Sequence, residues 1–371
     1  MLFNHKIILF KRKYMCDLVK CLQKVLDDET SSGRECGCQL TVYRNGELIC
    51  DLASGYTDER NIARVTPETL FPVFSVGKGI LTTLFHILAE RSELDYDNLV
   101  IRYWPEYGAG GKDSTTIRNM LSHRTGLYDF PTEFHFFDRF NWEKAVKILE
   151  NMSPLIPIGR KHQYHAHTYG ILIGRLLEKI TKRPVNELLK EEILEPLQID
   201  TFFYGVPFDK LKQTARITPY VEPEGVQTLM DGRILFNDRR VLQGLNPSSN
   251  GVSNAHAMAK IYAALLPGGV NGIRLLKEET LRNALKLERS PDDPVEPAQW
   301  DKFGLGYALC GPCPPWNRMF GHGGACGSEG FADQETGYAV GFTKNGILPS
   351  HPNHPIRNRI SDVLGLPHRI W

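Results

Sequence analysis

Strand-forming stretches stand at the two ends of this chain and helical ones fill its middle. That distribution limits the fold more than any other feature. Near the start, Leu40, Val42 and Tyr43 run into Arg44-Asn45-Gly46-Glu47, and Leu48, Ile49 and Leu52 continue beyond. Asn-Gly between two such runs marks a tight hairpin, so residues 38–53 read as two strands. Near the other end, residues 306–310, 318–322, 328–333 and 338–343 read as strands, the last following the turn Glu335-Thr336-Gly337. Between them lie helical patterns. In residues 75–91, Ile80, Leu81, Leu84, Phe85 and Leu88 recur at three- and four-residue spacing. Residues 117–122, 142–151, 168–181, 255–266 and 277–287 also read as helices, and 356–364 as a closing helix. Residues 207–254 are loop-rich, and 290–299, rich in Pro and Asp, read as an exposed loop.

The simplest solution is one sheet made from both chain ends, with the helical region inserted between its halves. The predicted class is α+β, an α/β sandwich: a central antiparallel sheet with flanking helices plus an inserted, mainly helical subdomain. Residues 1–20 are expected to be a basic tail and 21–371 a single domain. Its α/β part covers about 21–91 and 255–371, and the helical insertion about 92–254.

Composition excludes several function classes. Lys and Arg total 44 against 43 Asp and Glu, a net charge of +1, so the chain lacks the basic footprint of a nucleic-acid binder. Hydrophobic residues at 42% are ordinary for a globular protein of 371 residues, which can bury a full core. No run reaches the ~18 apolar residues of a membrane span. In the opening stretch, Lys11, Arg12 and Lys13 follow the apolar residues, the reverse of a secretory signal. The first acidic residue is Asp17, so a mitochondrial presequence is the alternative to a plain basic tail. The eight cysteines read as reduced thiols in a cytosol-like compartment. The expected location is therefore cytoplasmic, with mitochondrial as the alternative.

The sharpest chemical feature is Phe74-Ser75-Val76-Gly77-Lys78-Gly79. Ser75 and Lys78, three apart at a helix start, share one face. A serine hydroxyl needs a neighbouring base to become a nucleophile, and a lysine serves once desolvation lowers its pKa. The helix N-terminus offers free N–H groups to a developing oxyanion. Alone, S-x-x-K is better explained as a helix-capping serine with a surface lysine.

Two further segments add to it: Tyr164-His165-Ala166-His167-Thr168-Tyr169-Gly170, and Phe320-Gly321-His322-Gly323-Gly324-Ala325-Cys326-Gly327-Ser328 followed by Gly330-Phe331-Ala332-Asp333. With these the chain resembles the serine β-lactamase/penicillin-binding-protein-like superfamily. It is most similar to the esterase and class C-like branch, which includes the β-lactamase-domain proteins of animals. The resemblance runs from about residue 38 to 345, and Leu94-Asp95-Tyr96-Asp97, Tyr103-Trp104-Pro105-Glu106 and residues 116–127 fit it too. It implies that Ser75 is the nucleophile, Lys78 its partner and Tyr164 a sharer of the proton. It sets His322-Gly323-Gly324 at the family's K-T-G position on an edge strand, and implies an oxyanion hole from the N–H groups of Ser75 and Ala325. Glycines 323 and 324 are expected to let substrate backbone approach that strand.

Two departures carry meaning. The family's Tyr-x-Asn triplet ends here in Ala166, and the K-T-G lysine is His322. A mostly neutral histidine weakens recognition of β-lactams and D-Ala-D-Ala peptides and tolerates an uncharged ester better.

Other motifs read as structural. Cys310-Gly311-Pro312-Cys313 spells a redox motif but lacks the following helix that such a motif needs, and is read as a turn between strands. His162, His165 and His167 have no carboxylates nearby and read as supports of the site rim, with His123 structural. No cofactor and no metal are expected. The reading is a serine hydrolase acting on a small-molecule ester or amide. A weakly catalytic, self-assembling scaffold of the same family is the alternative, and a true β-lactamase or D,D-peptidase is less favoured. Neither a nucleic-acid partner nor a membrane span is expected, and a homo-oligomer stays open.

Overall fold

A long helix, α1 (Leu2–Ser31), opens the computed structural model, which describes residues 2–92, 94–219, 232–293, 302–311, 313–347 and 355–369. Strands β1 (Gly37–Arg44) and β2 (Glu47–Gly55) follow as a hairpin. Asn45 and Gly46 at its turn have φ of 51° and 81°, the backbone that an Asn-Gly pair adopts with least strain. A short strand β3 (Phe71–Phe74) feeds helix α2 (Val76–Ser92). Helices α3 (Ile117–Leu121), α4 (Trp142–Asn151), α5 (Tyr169–Thr181) and α6 (Val185–Leu189) come next. They are followed by β4 (Phe202–Tyr204), β5 (Thr218–Pro219), α7 (Arg239–Leu242), β6 (Gly251–Ser253), α8 (Ala255–Ala263) and α9 (Glu278–Ala284). The chain closes with β7 (Ala308–Leu309), β8 (Met319–Gly323), β9 (Glu329–Asp333), β10 (Tyr338–Lys344), β11 (Gly346–Ile347) and α10 (Pro355–Leu364).

The main sheet has the order β2-β1-β10-β9-β8-β7, with every neighbouring pair antiparallel. The expected α+β architecture is the one observed. Leu40 of β1 lies opposite Phe342 of β10, and Gly37 N–H donates to Asn345 Oδ1, 308 positions along the chain. Side chains alternate across the pleat, so each face has its own core. On one face Leu40, Val42, Val340 and Phe342 meet Leu22 and Leu26 of α1 and Ile356 and Ile360 of α10. The other face is covered by α8 and α2. Ile80, Leu81, Leu84 and Phe85 of α2 are all buried, because the helices of the inserted region pack on its far side.

Three findings adjust the expectations. The tail expected to end at residue 20 does not end in a break: α1 runs through it, and Leu18 and Leu22 already belong to the core. The stretch 92–254 is not all helix and loop, since β4 and β6 within it join β3 in a second, antiparallel sheet. In the loop predicted over 290–299, Asp293 is no free surface group, because it pairs with Arg124 at 2.6 Å. Residues 294–299 lie outside the described residues. No described helix is long and apolar enough to cross a membrane.

Candidate active site

Ser75 sits in the single step between β3 and α2, and the backbone there is bent. Phe74 has φ of 51°, a left-handed conformation that an aromatic residue adopts only under constraint. Its ring supplies that constraint by packing on Phe236 with centroids 4.6 Å apart, within an apolar cluster that includes Phe140 and Ile217. The bend leaves Ser75 half-buried and facing a cavity of about 430 Å³.

Lys78 lies one helical turn further on and is fully buried. Its Nζ is 2.9 Å from Ser75 Oγ and 2.8 Å from the carbonyl oxygen of Ala166, and it also donates to the carbonyl of Ser248. Burial holds its pKa well below the ordinary lysine value. An amine that donates to two carbonyls while neutral keeps its lone pair for the third direction, which is that of Ser75. Gly79 allows this packing: a Cβ there would meet Tyr262 Oη at 2.2 Å and His322 Cβ at 3.4 Å.

The Tyr164 ring covers Lys78, with Nζ 4.9 Å from its centroid. Burial pushes its phenol well above the ordinary tyrosine value, and an interaction with the Ser75 hydroxyl pulls the other way. Tyr164 is therefore a neutral phenol. Its ring is flanked by His123 at 5.0 Å and by His322 and Phe303, each at 6.0 Å.

His322 belongs to β8, and the sheet order makes this strand next to last rather than the edge. The edge strand β7 pairs only with Phe320 and Gly321, so His322 and Gly323 run past its end. His322 is 4% exposed and lines the cavity. Its Nδ1 is 2.7 Å from the Gly323 carbonyl, which only an N–H donor satisfies, so Nε2 carries the lone pair and has no partner among the described residues. Burial, reinforced by the charge of Lys78, draws its pKa down to about 3.

Gly323, Gly324 and Ala325 also line the cavity. Gly324 answers a need of the fold rather than of a ligand, because a Cβ there would meet the Val73 carbonyl at 2.3 Å. Among the described residues the N–H groups of Ser75 and Ala325 have no acceptor, and both residues border the cavity.

Three of the four rim histidines are held by the protein, while His167 lines the cavity. His162 Nδ1 meets the Ser122 carbonyl at 3.1 Å, and His165 Nε2 meets Thr125 Oγ1 at 2.7 Å. His123 Nδ1 accepts the His165 N–H at 3.1 Å, and its ring stacks on Tyr169 at 4.4 Å. Among the described residues no group of three or more His, Cys, Asp or Glu is arranged to hold a metal. Cys310 is buried and Cys313 exposed in the link between β7 and β8, and burial pushes the Cys310 thiol up, away from redox reactivity.

The structure thus brings Ser75, Tyr164, His322, Gly323, Gly324 and Ala325 to one cavity, with Lys78 buried behind Ser75. The carbonyls of Ala166 and Ser248, which fix Lys78, had no side-chain signature in the sequence. The same holds for Lys302, a buried cation on the cavity wall.

Comparison with known proteins agrees with this geometry. The sequence profile of the Beta-lactamase family matches residues 19–361. The esterase/beta-lactamase LipL of Mycobacterium tuberculosis is 30% identical over 347 residues, covering 84% of this chain and 77% of that protein. Among solved structures, a family VIII carboxylesterase superposes with a TM-score of 0.82 at 24% identity, over 93% of this chain and 96% of the other. EstA from Arthrobacter nitroguajacolicus superposes with a TM-score of 0.74 at 27% identity, over 91% and 94%. The chain belongs to the beta-lactamase family, as a serine hydrolase of its LipL-type esterase branch.

Proposed function

We propose that this hydrolase cleaves a small carboxylic ester through an acyl-enzyme on Ser75. The observation that carries the reading is the 2.9 Å approach of Lys78 Nζ to Ser75 Oγ, in a setting that favours the neutral amine. Neutral Lys78 takes the Ser75 proton as Oγ bonds to the substrate carbonyl carbon. The oxygen gains negative charge and is held by the N–H groups of Ser75 and Ala325. Tyr164, a neutral phenol, gives its proton to the departing alkoxide and regains one from the Lys78 ammonium. Water then enters, neutral Lys78 takes its proton as the water oxygen bonds to the acyl carbon, and that proton passes to Ser75 Oγ as the ester C–O bond breaks and the acid leaves.

One observation favours an ester over a β-lactam or a D-Ala-D-Ala peptide: His322 is neutral where a fixed cation would hold a substrate carboxylate. The test is intact-mass analysis after brief exposure to p-nitrophenyl butyrate, followed by peptide mapping. A transient butyryl adduct on the Ser75 peptide is expected. Hydrolysis with label on another residue, or no hydrolysis of any short ester, overturns the reading.

A further inference from the structure

The cavity wall is electrically one-sided. Among the described residues that line it, Arg233, Lys302 and Arg357 are cations and none is acidic. Two of the three are engaged: Arg233 donates to the Ala325 carbonyl at 2.6 Å, and Arg357 lies 3.5 Å from Glu329. Lys302 differs. The residue is 3% exposed, and its Nζ stands 4.0 Å from the centroid of the Trp316 ring. Among the described residues it has neither a hydrogen-bond acceptor nor a carboxylate. Its backbone is fixed beside β7, since Leu309 N–H donates to the Lys302 carbonyl at 2.8 Å and Phe303 bridges to Ala308.

A ring face orients an ammonium but accepts none of its three N–H bonds in full strength. An ammonium that meets the cavity without a protein acceptor gains most from an anion brought to it. We propose that Lys302 binds a carboxylate carried by the substrate, at the β7 side of the cavity. A single ammonium balances a single negative charge, which suits a carboxylate rather than a phosphate dianion. Burial draws the Lys302 ammonium below the ordinary lysine value, and a bound carboxylate reverses that direction. The assignment supplies a charge that His322 lacks, at a different place on the wall. It rests on the hydrolase reading above and names the class of ester: a half-ester of a dicarboxylic acid.

The test compares p-nitrophenyl half-esters of four- to eight-carbon dicarboxylic acids with uncharged p-nitrophenyl esters of matched length. The ratio of kcat/KM, charged over neutral, is the readout. For the best-fitting length the wild type is expected to favour the charged ester, and Lys302→Met to lower the ratio about tenfold. Lys302→Arg retains most of the ratio, and raising salt lowers it in the wild type. A ratio unchanged by both Lys302→Met and salt overturns the proposal. Binding of monomethyl glutarate to Ser75→Ala, measured by calorimetry with and without Lys302→Met, reads the same contact without turnover. Equal binding, or none in either protein, overturns it independently. If no ester is hydrolysed but the lysine-dependent binding is present, the hydrolase reading fails and the anion site stands.

Discussion

Lys78 Nζ is held 2.9 Å from Ser75 Oγ, and its two other contacts are backbone carbonyls rather than a carboxylate. A carboxylate would stabilise the ammonium and spoil the base. Carbonyls orient the amine while burial keeps it available for a proton. The pH dependence follows. As pH rises through the lowered Lys78 pKa, the neutral amine accumulates, so kcat/KM for a neutral ester should increase to a plateau below pH 10.5, the unshifted lysine value. Lys78→Arg, which stays protonated, should lose at least roughly 10³ in rate. A flat profile from pH 5 to 10 in the wild type argues against Lys78 as base.

Ser75→Ala should remove both ester hydrolysis and labelling by a fluorophosphonate. Stability should scarcely change, because the Ser75 hydroxyl is half-buried and its contact with the Ser248 carbonyl is a long 3.3 Å. Pure mutant that retains wild-type turnover rules out Ser75 as the nucleophile.

Tyr164→Phe keeps the ring over Lys78 and removes only the proton that the leaving group needs. A loss of roughly 10²–10⁴ in acylation is expected, the usual worth of a positioned acid. Better leaving groups need less help, so the loss should shrink from an alkyl ester to a p-nitrophenyl ester. Equal losses on both would assign Tyr164 to positioning instead.

The His322→Lys substitution should raise activity on cephalosporin-type carboxylates relative to neutral esters by about tenfold, the worth of one partly screened charge pair. The His322 ring lines the cavity and its Nε2 is unpartnered among the described residues, so a longer cation at this position reaches the same space. An unchanged ratio means that a substrate carboxylate does not come to this part of β8.

Acid should destabilise the fold steeply. His86 and His162 have pKa values drawn down to about 4, and His165 and His322 to about 3, chiefly by burial. Unfolded histidine takes a proton near pH 6.5. Between that pH and about 4 the unfolded state binds more protons, so stability falls as pH falls, by about 1.4 kcal/mol per pH unit per histidine. Glu35, which burial raises to about 7, acts in the opposite sense but is a single group. Urea unfolding at pH 7, 6 and 5 measures the net slope. Stability constant over that interval would show that these histidines open to water before the fold is lost.

Much of the site was legible because its chemistry is written in side chains at fixed spacing. Ser75 and Lys78 stand three positions apart, the spacing of one helical face, and the Tyr164 and His322 segments keep the order of a known family. The hairpin at Asn45-Gly46 was legible because its turn requires positive φ. Other parts left no mark of that kind. Ala166 and Ser248 act through carbonyls, which every residue has. The bend at Phe74 is imposed by rings that arrive from Phe140 and Phe236. The helical repeat of Leu18, Leu22, Val25 and Leu26 was present in α1, yet the basic cluster ahead of it suggested a tail. Gly324 was read for a ligand, whereas the neighbouring Val73 carbonyl already excludes a side chain.

The pairing of β1 with β10 also sets a timetable. The chain leaves the ribosome N-terminus first, at roughly 5–20 residues per second, so about 300 residues take on the order of 15–60 s to follow β1. Through that interval the β1 edge of the hairpin, where β10 will later dock, is bare. Ser75, at the start of α2, meanwhile lacks β8 with His322 and the turn after it with Ala325. Nascent chains of this protein are therefore inert as hydrolases and open to edge-to-edge association. Activity arrives late in synthesis, in the same event that closes the sheet.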